Sequence, residues 1–108
     1  MIDKKIDQEI EVPKWDVALA ALAKEEYQNK GEGLCLEDFH RLAKEHTIRF
    51  DDIMVTMFEL CINGEWRYQV ESGVDLAISR EMLDKLFVKG RLHAGDLKDF
   101  TGTWRPVK

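Results

Sequence analysis

Two cysteines, Cys35 and Cys61, are all that the 108 residues contain. That is too few for a disulfide-stapled scaffold, and neither sits in a C-x-x-C pair that would lower a thiol pKa. No apolar run approaches the roughly 20 residues that cross a bilayer, so no membrane span is expected. The first residues, Met1 to Lys5, lack the apolar stretch of a signal peptide. With reduced thiols, this predicts a cytoplasmic protein. No internal repeat and no low-complexity segment is present. Gly31 and Gly33 precede a helical pattern but lack the Lys-Ser/Thr and the preceding strand of a phosphate loop. No lysine or arginine lies between Arg49 and Arg67.

What is present is a mixed, acidic surface pattern around an ordinary apolar content. Charged residues make up 34% and hydrophobic ones 44%, enough for one domain with a real core. The net charge of −5 is unevenly spread. Residues 1–78 carry 9 basic and 17 acidic groups, whereas residues 79–108 carry 7 and 4. An acidic body argues against nonspecific nucleic-acid or anionic-membrane binding.

The chain is organised around Phe50 to Gly64. Between Ile53 and Ile62 the polar residues are only Thr56 and Glu59; with Asp52 and Asn63 they are spaced four, three and four apart. On a helix they form one narrow stripe on an otherwise apolar cylinder, the mark of a central helix covered on several sides. Asp51 is the expected cap and Asn63-Gly64 the expected stop. Glu59, on an open stripe, is expected to tolerate alanine within about 0.5 kcal/mol.

Around it the elements follow in order. Residues 1–12 form an arm with Ile2, Ile6, Ile10 and Val12, readable as helix or strand. Pro13 is expected to open a first helix with Trp15, Ala18, Leu19, Leu22 and Ala23 inward, stopped by Gly31 and Gly33. Leu36 to His46 is a second helix with Leu36, Phe39, Leu42 and Ala43 inward. After Gly64 the period drops to 2, and Trp66 to Val70 and Val74 to Ile78 read as a β-hairpin about Glu71-Ser72-Gly73. Ser79 caps a fourth helix, Arg80 to about Lys89, with Met82, Leu83, Leu86 and Phe87 inward. The domain so predicted spans 13–90. Residues 91–108 form an extension that packs on it or trails from it, with Leu97, Phe100 and Trp104 as anchors. Four helices and a hairpin are expected to close a core without the tail from Thr101 onward.

Helix, helix, tight turn, helix and hairpin, from Trp15 to Ile78, resembles the winged helix-turn-helix. The expected fold is mainly α (α+β): a three-helix winged-helix-like core with a β-hairpin and an additional C-terminal helix. The resemblance implies either DNA binding or a protein-interaction role, and fold alone does not choose. In the DNA-binding members the third helix enters the major groove with polar or basic side chains. Here that helix offers Asp52 and Glu59. Residues 34–66 carry 3 basic and 7 acidic groups, little with which to neutralise phosphates.

Each candidate for chemistry in the sequence has a plainer role. Cys35, His40, His46 and Cys61 match none of the tight ligand pairs of structural zinc. Asp51-Asp52 and Glu37-Asp38 suit helix starts. No catalytic, cofactor or metal residue is therefore expected. The expected function is a small non-enzymatic protein-interaction or regulatory domain. Its candidate partner-binding residues are Asp52, Thr56, Glu59, Asn63, Trp104 and Arg105. Trp104 and Arg105 sit in a Gly- and Pro-flanked tail, where Trp104 either pins the tail or anchors a partner. The alternative is a winged-helix DNA-binding transcriptional regulator acting as a homodimer. Its DNA would meet a basic patch of Arg80, Lys85, Lys89, Arg91 and Lys98.

Overall fold

The computed structural model describes residues 15–88, 91–92 and 97–107. The arm 1–12, Pro13, Lys89 and Gly90 lie outside them.

Helix α1 runs Val17–Lys30. It does not open at Pro13. Asp16 is its cap, with Oδ1 accepting from the Ala18 and Leu19 N–H groups at 3.0 and 3.1 Å, so Trp15 precedes the helix. A carboxylate that satisfies two otherwise orphaned donors outweighs a favourable proline upstream. Gly31, at φ 79°, closes the helix with its N–H on the Tyr27 carbonyl. Helix α2, Leu36–His46, has the predicted bounds and buries Phe39 and Leu42. Thr47 follows at φ 54° and turns the chain sharply into the next helix.

Helix α3, Phe50–Ile62, is the centre of the molecule. It packs against α1 and α2 and against elements that follow it. Ile53, Met54, Met57, Phe58 and Leu60 are all buried. Its cap is Arg49, not Asp51. Asp51 lies buried within the first turn and meets Arg49 at 3.1 Å. Its second polar stripe residue, Thr56, is 4% exposed and Glu59 9%. The middle of the stripe is therefore not an open face, while Asp52 and Asn63 at its ends are exposed.

Strand β1 is Trp66–Gln69, β2 Asp75–Leu76 and β5 Thr103–Pro106. They form one antiparallel sheet in the order β2-β1-β5. The predicted hairpin exists, but it is short. Only Tyr68 with Leu76 and Gln69 with Asp75 are in register. Of the alternating apolar residues in its second run, Val74 and Leu76 are exposed and Ile78 is buried. The full-length partner of β1 is β5, which pairs Trp66 with Pro106, Arg67 with Arg105, Tyr68 with Trp104 and Gln69 with Thr103. On its other side Trp104 bridges Leu34, just before α2. The Leu34 N–H donates to the Trp104 carbonyl at 2.9 Å, and the Trp104 N–H to that of Leu34 at 2.8 Å.

Between β2 and β5 lie helix α4, Arg80–Leu86, and the two-stranded ribbon of β3, Phe87–Val88, with β4, Arg91–Leu92. Ser79 caps α4 as expected, its Oγ accepting from the Met82 N–H at 3.2 Å. The helix ends three residues early. Phe87 turns to extended backbone and is 38% exposed instead of packing inward.

The core is one cluster with Trp104 at its middle. The Trp104 ring is fully buried. It meets Tyr68 at 4.5 Å between centroids and Phe39 edge-on at 5.5 Å. Phe58 and Phe100 lie 6.4 Å away. Gly102 makes this closure sterically feasible. A Cβ there would sit 1.9 Å from the Gln69 carbonyl oxygen, and its N–H donates to the Tyr68 hydroxyl at 2.9 Å.

Candidate functional site

The polar stripe of α3 resolves into four different fates. Thr56 turns its hydroxyl onto its own helix, donating to the Asp52 carbonyl at 2.9 Å. Asn63 caps the C-terminus, its Nδ2 donating to the Glu59 carbonyl at 2.8 Å. Glu59 forms a two-pronged ion pair with Arg80 of α4, at 2.5 and 2.8 Å. This fork-to-fork geometry is the strong form of the pair, and the hydrogen bond to Glu59 raises the Arg80 pKa. Asp52 is exposed and has no ion pair among the described residues.

Asp52, Thr56 and Glu59 nevertheless share one feature: they line a groove along the outer side of α3. Its apolar walls are Trp15, Leu19, Val55 and Phe87. Asp16 stands at its rim. Two local choices build it. The cap at Asp16 sets Trp15 outside α1, beside α3. The early end of α4 leaves Phe87 facing outward across from it. Of the expected residues, the groove thus gathers Asp52, Thr56 and Glu59. Asn63 does not line it.

Trp104 and Arg105 lie elsewhere. Trp104, fully buried, is the pin of the tail and is not available as a partner anchor. Arg105 lies half-buried on β5, donating from Nε to Gln69 Oε1 at 3.0 Å. Beside α3, Phe87 reaches the surface, while Trp15 is partly buried against the core with one side on the groove. Sequence periodicity assigned both to the core; Trp15 does pack against it, whereas Phe87 does not, because the pattern extended α4 past its actual end.

The remaining chemistry is structural. Asp38 joins α1 to α2, accepting from Lys30 at 2.6 Å and from the Cys35 N–H at 2.9 Å. Burial pushes the Asp38 carboxyl up, but these hydrogen bonds outweigh it and hold the group below the usual carboxylate range. Arg41 adds pairs to Glu26 and Glu45 on the exposed side. The Cys61 thiol sits late on α3, and burial pushes its pKa up to about 12, so it stays protonated and poorly nucleophilic. His40 stacks on Phe50 at 3.7 Å. Among the described residues no group of three or more His, Cys, Asp or Glu is placed to hold a metal ion. Within the basic stretch, Arg80 is engaged by Glu59, Lys85 and Lys98 are exposed, and Lys89 lies outside the described residues.

The described helices include none long and apolar enough to cross a membrane. No family model matches the chain, and neither the curated proteins nor the solved structures searched contain a match to it.

Proposed function

We propose that this chain is a small, non-enzymatic protein-interaction domain on a winged-helix-like core, serving as a cytoplasmic regulator or adaptor. The observation that carries the reading is the outer groove of α3, with large apolar walls and carboxylates at its floor and rim. Exposed apolar surface framed by polar groups suits a protein partner. A major-groove helix instead needs basic or amide groups for bases and nearby cations for phosphates.

The winged-helix comparison gains support from the sheet. The strand contact at Leu34, then β5, then β1 makes a small antiparallel sheet behind three helices. In this view β1 and β5 are the two wing strands, and residues 70–102 are a long insertion at the wing tip. The hairpin partner β2 is then an accessory strand.

The test is a titration against random duplex DNA at about 50 and about 200 mM salt, beside capture of partners from the native host with and without nuclease. Nuclease-resistant protein capture with feeble DNA binding is expected. Submicromolar DNA binding that falls steeply with salt would overturn the reading.

A further inference from the structure

The groove beside α3 has a charge as well as a shape, and both bear on what fills it. Asp16 and Asp52 stand at its edge, and neither has an ion pair among the described residues. Glu59 at its floor is matched by Arg80, whose guanidinium is half-exposed. The local balance among the described residues is two carboxylates without an ion pair around an apolar trough, of which Asp16 also caps α1 and Asp52 stands exposed. Phe87 and Val55 offer apolar surface within it.

Resting on the protein-interaction reading, we infer that this groove binds a cationic, apolar peptide segment of another protein, one or two large aliphatic or aromatic side chains flanked by lysine or arginine. The apolar side chains enter between Trp15 and Phe87, where burial supplies the affinity. The flanking cations meet Asp16 and Asp52, where complementarity speeds encounter and sets orientation. The chain already contains a small version of this contact, since Arg80 lays a guanidinium across Glu59 at the same groove.

Charge also weighs against the other occupants. Residues 1–14 carry Lys4, Lys5 and Lys14 against Asp3, Asp7, Glu9 and Glu11, so the chain's own N-terminal segment has no net positive side-chain charge. A second copy brings a net charge of −5. A nucleic acid brings only negative charge.

The experiment uses the full chain and two synthetic amphipathic peptides of the same periodicity, one of leucine and lysine and one of leucine and glutamate. Binding is followed by calorimetry, with amide NMR shifts to locate it. The leucine–lysine peptide is expected to bind more tightly and to shift amides around Val55 and Phe87. Phe87→Ala and Asp52→Lys should each weaken it by about tenfold, the level of a significant interface residue. Glu25→Lys, on the exposed side of α1, should leave it unchanged. Phe87 and Asp52 are surface groups, and an unchanged melting curve for each variant keeps the comparison sound. If the leucine–glutamate peptide binds equally well, and Phe87→Ala still weakens it, the cationic class is wrong while the interaction site stands. Binding indifferent to both substitutions overturns the groove itself. Displacement of the peptide by duplex DNA overturns the protein-interaction reading beneath it.

Discussion

Deleting residues 101–108 should unfold this protein, because the tail supplies the middle of its core. Trp104 is fully buried among Phe39, Phe58, Tyr68 and Phe100. Truncating a buried tryptophan to alanine costs about 3–5 kcal/mol. The deletion also removes both backbone bonds between Leu34 and Trp104, worth about 1 kcal/mol each. It strips β1 of its four-residue partner and Tyr68 of its bond from Gly102. Against a total of about 5–15 kcal/mol for a domain of this size, little or nothing remains. The assay is an amide NMR spectrum of residues 1–100 beside the full chain, with urea unfolding followed by circular dichroism. Point variants grade the effect. Trp104→Ala should lose about 3–5 kcal/mol, and Trp104→Phe, which keeps most ring contacts, about half of that. A dispersed spectrum and an undiminished urea midpoint for the truncated chain would refute this placement of Trp104.

Glu59→Ala should now cost about 1–2 kcal/mol rather than a few tenths, since it strips a half-exposed Arg80 of a nearly buried partner; urea midpoints for Glu59→Ala, Arg80→Ala and the double variant measure the coupling. Gly102→Ala should cost about 1–3 kcal/mol or more, because its Cβ meets the Gln69 carbonyl at 1.9 Å and backbone must move; a neutral effect in thermal melting would show that β5 sits further from β1. Cys61 gives a pH signature. Its folded pKa, about 12, lies above the ordinary 9.0, so its contribution is intact below pH 9.0 and fades as pH rises toward 12. The slope approaches about 1.4 kcal/mol per pH unit. Cys61→Ala should flatten that alkaline loss in denaturation curves, and equal slopes for both proteins would contradict the burial of the thiol.

The helices were legible in the sequence because their information is local. Leu36, Phe39 and Leu42 repeat at helical spacing, and α2 has the bounds that spacing predicts. The dense apolar run through Ile53, Met57 and Leu60 marked α3 as central, and it packs on several sides. Ser79 and Gly31 acted as the caps their chemistry favours. Tertiary structure decided what depends on distant partners. β5 is four residues long, ends in Pro106, and pairs with a strand far earlier in the chain, Trp104 with Tyr68 and Arg105 with Arg67. No window along the chain spans that separation, so the sequence left Trp104 either pinning the tail or anchoring a partner, and the sheet makes it a core residue. Glu59 looked open because periodicity assigns a face but not its cover; Arg80, brought in from α4, is that cover. The groove depends on the same kind of fact. Trp15 and Phe87 each lie just beyond a helix end, where helical spacing no longer fixes a side chain: Trp15 still packs on the core, whereas Phe87 reaches the surface.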